Sequence, residues 1–349
     1  MQPNSLRRAA RQPNRIDWLK KTSPKHYLYR AICHARSLYT KRGPHIDPRT
    51  LFAKNKLLFA PNETETERLD SLLCDGFFQA PLFFSRELID GIHAKADALF
   101  RRLLINWSLR LSSTNLQNRG ERGFSYDDLA GERTIELIDP LIHIPEVLDI
   151  AFHESVLKIV ANFFGSVPSR YQVNIVRTFP PESNANAFYF QQDGEEADLL
   201  KISVDLVDAN ESNGALVYVP RSNRYCDYHG RLPHVAQFPI VNRPLNEEEV
   251  ERAYPREGWV TLLGKRGTLT AIHGKGIHAG PVWPAATRAT NKPRTSIQIE
   301  ARGYSYTMQG ERGENRMRAW NFDRMTELQQ WFAHADLVGD EESPFTKAG

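Results

Sequence analysis

The feature that most constrains the fold is a change of hydrophobic pattern after Val167. Beyond that residue the chain breaks into short segments rich in β-branched and aromatic residues, which are bounded by proline, glycine, asparagine or aspartate, as strands are. The segments are RYQVNIVRTF, LLKISVDLVD, GALVYVP, GWVTLLGKRGTLTAIH and RTSIQIEARGYSY. In the second segment, Leu200, Ile202, Val204 and Leu206 share one face of an extended strand, and the other face is polar. A period of two with a polar second face predicts a barrel or sandwich with a wet interior.

Helical patterns precede these strands. From Glu63 to Ile105 apolar residues recur at helical spacing, interrupted by DGFFQAPLFF, which predicts a short strand. Ser85 is the expected N-cap of the helix that follows, and Gly165 is the expected C-cap of a second helix, HESVLKIVANFFG. The tail RAWNFDRMTELQQWF predicts a last helix. Helices first and strands afterwards is the order of an α+β protein, so we expect a β-barrel with an N-terminal helical layer.

Positive charge is concentrated at the start of the chain. Residues 1–60 contain fourteen lysines and arginines and only two acidic residues, whereas the whole chain has a net charge of +3. We therefore expect a basic, partly ordered N-terminal arm (1–60), a barrel with its helical layer (61–305) and a C-terminal helical extension (306–349). The arm is either a solvated terminus or a contact for an anionic membrane surface, a nucleic acid or a phosphorylated substrate. Nucleic acid is the weakest of these hypotheses, because the chain contains no recognised nucleic-acid-binding motif.

Composition argues against several other classes of protein. No apolar run approaches the roughly 20 residues of a membrane-spanning helix, and the basic arm lacks the apolar core of a secretory signal. The three cysteines, Cys33, Cys74 and Cys226, lie far apart without CxxC spacing. This pattern indicates reduced thiols rather than a disulfide or a cysteine metal site. We expect a cytoplasmic protein, or one that is peripheral at a membrane surface.

Three polar residues in the strand region suggest a metal centre. Asp193 ends the segment FYFQQD, His278 lies in GTLTAIHGKGIHAGP, and Arg294 begins RTSIQIE on its polar face. Non-haem iron oxygenases hold Fe(II) with two histidines and one carboxylate. Those that use 2-oxoglutarate also need a cation for its distal carboxylate, a task that suits the planar fork of arginine.

Five longer stretches of the chain surround these residues in order. They are DGFFQAPLFFSRELIDGIHAKADALF, IPEVLDIAFHESVLKIVANFFG, TFPPE, LVDANESNGALVYVPRSNR and GTLTAIHGKGIHAG. Together they resemble the phytanoyl-CoA dioxygenase family of Fe(II)- and 2-oxoglutarate-dependent oxygenases, from about Leu69 to Gly303. The resemblance implies a double-stranded β-helix, which is a cupin-like jelly-roll barrel, with Fe(II) and 2-oxoglutarate as cofactors. It further implies metal binding by Asp193 and His278, 2-oxoglutarate binding by Arg294, and hydroxylation of a small-molecule, lipid or acyl substrate.

Two motifs depart from the family. Gln191 stands where the family has its first ligand histidine, and the family's Pro-Gly-Ser-His turn has become Pro220-Arg221-Ser222-Asn223. A glutamine amide oxygen is neutral, as imidazole is, but it is a weaker donor on a longer side chain, so the affinity for Fe(II) should fall. Three hypotheses remain open. Gln191 or a water completes a weakened but working site, another histidine replaces it, or the iron has been lost and the barrel is a non-catalytic binding protein directed to an anionic partner by the basic arm.

Other histidines are poor replacements for the missing ligand. His273 is the best of them, but its five-residue separation from His278 puts it on the opposite side of an extended strand. His229 and His234 belong to a loop-like segment and are expected to face solvent.

Three further residues are weaker candidates for binding the 2-oxoacid. Gln172 and Asn174 share a strand face just upstream of the metal motif, where members of the family hold this cosubstrate. Ordinary hydrogen bonding between strands is the alternative role for both residues. Lys201, on the polar face of LLKISVDL, is the third candidate.

Overall fold

Two antiparallel sheets form the centre of the protein. The computed structural model describes residues 52–53, 55–102, 109–111, 134–168, 170–179, 189–193, 199–223, 244–280, 293–303, 315–318, 324–333 and 335–338. The strands in these residues are β1 Phe77–Ala80, β2 Leu109–Leu111, β3 Thr134–Ile138, β4 Arg170–Thr178, β5 Leu199–Asp205, β6 Leu216–Tyr218, β7 Val260–Leu262, β8 Leu269–His273, β9 His278–Ala279, β10 Arg294–Arg302, β11 Asn315–Arg318 and β12 Ala335–Val338. The large sheet has the order β1-β8-β5-β10-β4-β3-β2, and the small sheet has the order β7-β6-β9.

Alternation along the strands separates a hydrophobic core from a cavity. Leu200, Ile202 and Val204 of β5 and Ile297 and Ile299 of β10 are buried in the core. The polar residues between them line the space between the two sheets: Lys201, Ser203, Ser296, Gln298 and Glu300. The faces of both strands are therefore those predicted from the alternation in the sequence.

Helices cover the core side of the large sheet. They are α1 Lys56–Phe59, α2 Glu63–Cys74, α3 Arg86–Arg102, α4 Pro140–His143, α5 Val147–Ala151, α6 Glu154–Phe164 and, after helix α7 (Glu247–Ala253), α8 Glu327–Ala333. Helix α7 instead contributes Val250 to a hydrophobic cluster with Val217 and Ala279 of the small sheet. Apolar residues from α3 and α6 belong to the same hydrophobic cluster as those of β5 and β10. The arrangement confirms the predicted α+β class, a double-stranded β-helix with an N-terminal helical layer.

Local chemistry explains where these helices begin and end. At the start of α2, Asn62 and Glu65 form a capping box, in which each side chain accepts a hydrogen bond from the other residue's backbone N–H. At the start of α3, the Ser85 hydroxyl accepts a hydrogen bond from Leu88 N at 3.3 Å. Helix α6 ends at Gly165, whose φ of 61° is the left-handed conformation that glycine adopts without strain. Both predicted caps, Ser85 and Gly165, are confirmed.

The C-terminal region contains strands as well as the predicted helix. β11 and β12 pair in parallel, and α8 lies between them in the chain. Phe332 of α8 is fully buried against Tyr171, with ring centroids 5.3 Å apart, so this helix packs on the main core. The prediction of a purely helical extension over 306–349 is therefore corrected, since four-residue strands are too short to show a pattern in the sequence.

None of the described helices is long and apolar enough to cross a membrane. Residues 1–51, most of the predicted basic arm, lie outside the described part of the chain. The role of the arm and its anionic partner therefore stay predictions.

A buried arginine joins helix α3 to the large sheet. The Arg177 side chain on β4 is 2% exposed, and its Nη1 donates to Asp97 of α3 at 3.0 Å. Its Nε donates to Thr295 of β10 at 3.0 Å, and its guanidinium lies 4.5 Å from the centroid of the Phe100 ring. The charge is thus held by one carboxylate, one hydroxyl and one aromatic face.

Replacing Arg177 with alanine should lower the free energy of unfolding by about 3 kcal/mol, because it removes the donor to the buried Thr295 hydroxyl, one donor to Asp97 and the packing on Phe100. Arg101 provides a matched control, since it donates to the same Asp97 at 2.7 Å but its side chain is 68% exposed. Arg101→Ala should cost about 0.5 kcal/mol. Urea denaturation of both variants measures the difference, and equal losses would contradict this account.

Candidate active site

A cavity of about 230 Å³ lies between the large and small sheets. From the large sheet it receives mainly polar side chains, and from the small sheet it receives Leu216, Leu262 and His278. The polar lining residues are Thr134, Glu136, Thr178, Gln191, Lys201, Ser203, Thr270, Arg294, Ser296, Gln298 and Glu300. The wet interior expected from the sequence is therefore this cavity.

Three side chains that were predicted as metal ligands meet at its wall. Gln191 and His278 exchange two backbone hydrogen bonds, of 2.8 and 3.0 Å, and Asp193 N donates to the carbonyl of Gly274 at 2.6 Å. This pairing brings His278 Nε2 to 2.9 Å from Asp193 Oδ2 and to 3.5 Å from the amide nitrogen of Gln191. Residues separated by more than 80 positions in the chain thus converge on one point.

The orientation of His278 leaves a place for a cation. Its Nδ1 lies 2.9 Å from the Gly276 carbonyl, which can only accept, so Nδ1 carries the proton. Nε2 then faces the carboxylate of Asp193 at 2.9 Å, where it either carries a second proton or, as a lone pair, binds a metal ion in the place of that proton. Two lone pairs at 2.9 Å repel unless a proton or a metal ion lies with them. The Nε2 of a neutral histidine whose Nδ1–H donates to a carbonyl is the usual form of a metal ligand.

The third donor at this point is the amide of Gln191. Rotation of the amide by 180° exchanges its nitrogen and oxygen at the same place, so the oxygen can face the cation. One imidazole nitrogen, one carboxylate oxygen and one amide oxygen fit Fe(II), although with one weaker ligand than two histidines and a carboxylate provide. No cluster of three His, Cys, Asp or Glu side chains occurs in the residues that the structure describes.

Lys201 supplies a positive charge to the same carboxylate. Its Nζ lies 2.5 Å from Asp193 Oδ2, the oxygen that also approaches His278. Burial raises the pKa of Asp193, but the adjacent imidazole of His278, when Nε2 carries a proton, and the charge of Lys201 outweigh it and hold the pKa well below its ordinary value. Asp193 is therefore ionised at neutral pH, as a metal ligand must be.

Tyr218 supports the loop that carries His278, and the sequence did not reveal it. Its buried ring lies parallel to the imidazole, with centroids 6.5 Å apart and planes at 15°, and its hydroxyl donates to the carbonyl of His273 at 3.3 Å. A Cβ at Gly276 would lie 1.8 Å from this hydroxyl, and one at Gly76 would lie 2.2 Å from it. The two glycines make room for the phenol. In the sequence, the only indication of a bulky neighbour here was Gly276, two positions before His278.

Arg294 lines the same cavity at the start of β10. Its Nε and Nη2 donate to Asp205 Oδ1 at 3.1 and 2.7 Å, and its Nη1 donates to the carbonyl of Gly214 at 3.2 Å. The structure therefore places Arg294, the residue predicted to bind 2-oxoglutarate, at the cavity. It pairs Arg294 with Asp205, which the sequence did not indicate as a site residue.

The remaining candidates lie apart from the three converging side chains. Gln172 and Asn174 do not line the cavity; Gln172 accepts a hydrogen bond from Arg170 on its own strand, and Asn174 lies opposite Gln298. The ring of His273 packs against Phe163, at 5.1 Å between centroids. His273 ends β8 of the large sheet and His278 begins β9 of the small sheet, so the prediction that they share one extended strand is corrected. The two other candidate histidines, at positions 229 and 234, lie outside the described residues.

Comparison with known proteins identifies the family. Residues 72–284, more than half of the chain, match the phytanoyl-CoA dioxygenase (PhyH) family. The chain belongs to the phytanoyl-CoA dioxygenase family. Membership confirms the predicted class of enzyme, a 2-oxoglutarate-dependent oxygenase, and the predicted cofactors, Fe(II) and 2-oxoglutarate. A search of curated protein sequences finds no match.

Solved structures with a related fold show only distant similarity. EctD from S. alaskensis with 2-oxoglutarate and 5-hydroxyectoine is 18% identical, with a TM-score of 0.48, over 74% of this chain and 82% of that chain. The epimerase SnoN in complex with Fe³⁺, α-ketoglutarate and nogalamycin RO is 16% identical, with a TM-score of 0.44, over 69% of this chain and 84% of that chain. AviO1 from Streptomyces viridochromogenes Tue57 is 18% identical, with a TM-score of 0.45, over 68% of this chain and 94% of that chain.

The Gln191→His variant should bind Fe(II) or Mn(II) more tightly than the wild type by about tenfold, because it replaces the weakest donor. Calorimetric titration without oxygen measures the affinity. Gln192→His is the matched control, since the Gln192 amide donates to the Lys275 carbonyl at 3.0 Å and is not among the side chains that line the cavity. An equal gain in both variants, or a gain in neither, would contradict the geometry.

Proposed function

We propose that this oxygenase hydroxylates a small polar molecule, with Fe(II) held by Asp193, His278 and Gln191 and with 2-oxoglutarate held by Arg294 and Lys201. The observation that supports this assignment best is the approach of His278 Nε2 to Asp193 Oδ2, at 2.9 Å, in the wall of the cavity. A nitrogen and a carboxylate oxygen at this distance share a cation, which is either a proton on Nε2 or, in this proposal, the metal ion.

Each ligand has a separate task in this proposal. Asp193 supplies the single negative charge, and His278, which is 2% exposed, supplies a neutral nitrogen fixed by its hydrogen bond with Gly276. Gln191 completes the set with a neutral oxygen, so the net charge at the metal is the same as with histidine. The weaker donor lowers the affinity without changing the number of protein ligands.

Two cationic side chains of the cavity can each bind a carboxylate. Arg294 begins β10, and Lys201 lies opposite Glu300, six residues further along that strand. We assign the distal carboxylate of 2-oxoglutarate to Arg294, whose planar donors suit a carboxylate. Lys201 then leaves Asp193 when the metal binds and neutralises charge near the other end of the cosubstrate. When bound, Fe(II) and 2-oxoglutarate supply the oxidising chemistry, in which 2-oxoglutarate is converted with O₂ to succinate and CO₂.

The rest of the lining supports a small and polar substrate. Hydroxyl groups of Ser203, Thr270 and Ser296 and the amide of Gln298 face a volume of about 230 Å³. Such groups orient a substrate through hydrogen bonds, and Val176, Ile272 and Leu262 add apolar contacts in the same cavity. A lipid or acyl substrate and an anionic partner for the basic arm are the less supported alternatives.

Asp193→Ala should reduce succinate release from 2-oxoglutarate, with Fe(II) and O₂ present, by at least about 100-fold, since the change removes the charged ligand. Asp90→Ala, which removes a carboxylate from the outer surface of α3, should leave the rate unchanged. Succinate is measured by mass spectrometry. If the wild type neither takes up metal nor binds 2-oxoglutarate at millimolar concentration, the non-catalytic binding protein becomes the better description.

A further inference from the structure

A buried ion pair lies behind the cavity at Arg294. The Arg294 side chain is 13% exposed, and that of Asp205 is 1% exposed. One oxygen, Asp205 Oδ1, accepts from both Nε and Nη2 of the guanidinium. The other oxygen, Oδ2, is buried and accepts no hydrogen bond from the described residues. Among the described residues, Arg294 is therefore the hydrogen-bond donor to the Asp205 carboxylate.

The hydrogen bonds of Arg294 leave part of its guanidinium for a ligand. The group carries five N–H bonds. Two of them donate to Asp205 and one donates to Gly214. Within the described residues, one N–H bond on Nη1 and one on Nη2 therefore remain available to a ligand. A carboxylate binds to two such N–H groups at once when the guanidinium is held in one orientation. Since Arg294 lines the cavity, an anion in the cavity can reach them.

Asp205 is itself held firmly. It lies at the end of β5 opposite Ser296 of β10, its N–H donates to Thr268 O at 3.2 Å, and its carbonyl accepts from Gly267 N at 2.8 Å. Arginine has a long side chain that gains many rotamers when it loses its partner. A fixed acceptor next to Arg294 therefore limits the directions in which the guanidinium can point.

We propose that Asp205 is a positioning residue for the cosubstrate, which orients Arg294 so that its two remaining N–H groups bind the distal carboxylate of 2-oxoglutarate. This inference rests on the proposed function. Asp205 does not line the cavity and acts only through Arg294. It therefore affects selectivity for ligands that carry a distal carboxylate and leaves binding of the rest of the 2-oxoacid unchanged.

The test compares two ligands on the same protein. Calorimetry without oxygen, on protein loaded with Mn(II), gives dissociation constants for 2-oxoglutarate and for 2-oxobutyrate, which lacks the distal carboxylate. The variants are Asp205→Ala, Asp205→Asn and, as a matched control three residues away, Asp208→Asn. Asp208 pairs with Lys265 at 2.9 Å on the surface and not with Arg294. Comparing the two ligands separates lost orientation from general damage, because damage to the fold weakens both.

We expect the wild type to prefer 2-oxoglutarate and Asp205→Ala to reduce that preference by about tenfold, the scale of a hydrogen bond to a charged group. Asp205→Asn keeps an acceptor oxygen, so its preference for 2-oxoglutarate should fall less. This variant provides the test if the alanine variant does not fold. Asp208→Asn should match the wild type. If Asp205→Asn and Asp205→Ala both keep the wild-type preference for 2-oxoglutarate over 2-oxobutyrate, the positioning role of Asp205 is overturned and the proposed function is not. A wild type that binds neither ligand would instead overturn the proposed function, and the role of Asp205 with it.

Discussion

The site depends on main-chain hydrogen bonds that bring two distant segments together. Gln191 and His278 pair as neighbouring strands, and the N–H of Asp193 donates to Gly274 just before the histidine. Because these bonds belong to the backbone, they fix the separation of residues 191, 193 and 278 whatever side chains those positions carry. The barrel can therefore lose a ligand histidine at position 191 and still present an imidazole and a carboxylate to one point. Only the strength of the third donor changes.

In the proposed site, the ammonium of Lys201 and the metal ion compete for the carboxylate of Asp193. In the structure the ammonium of Lys201 lies 2.5 Å from Asp193, where it balances a buried charge that would otherwise be unfavourable. In the proposed site, a metal ion bound by Asp193 takes over that role and is bound by Nε2 of His278 as well, whereas the ammonium is held by the carboxylate. Replacement of histidine by glutamine reduces this advantage. The balance between Lys201 and the metal is therefore closer in this chain than in a site with two histidines, and occupancy should depend strongly on metal concentration.

The sequence predicted those features that depend on local pattern. Alternation in β5 and β10 gave the correct core and cavity faces, and the caps at Ser85 and Gly165 follow from the chemistry of one residue each. It could not predict contacts that depend on three-dimensional position. The pairing of Arg294 with Asp205 joins residues 89 positions apart, and the phenol of Tyr218 fits a space that two separate glycines leave open. Gln172 and Asn174 illustrate the same limit, because alternation gives the face of a residue but not its depth along the barrel.

The most direct test of this account is the position of a metal ion in crystals of the wild-type protein grown or soaked with Mn(II) without oxygen. Anomalous diffraction at the manganese edge should show one ion within coordination distance of His278 Nε2, an Asp193 carboxylate oxygen and the Gln191 amide, with Lys201 moved away from Asp193. Crystals at saturating Mn(II) with no ion at this point, and with the ammonium of Lys201 still bound to Asp193, would contradict it.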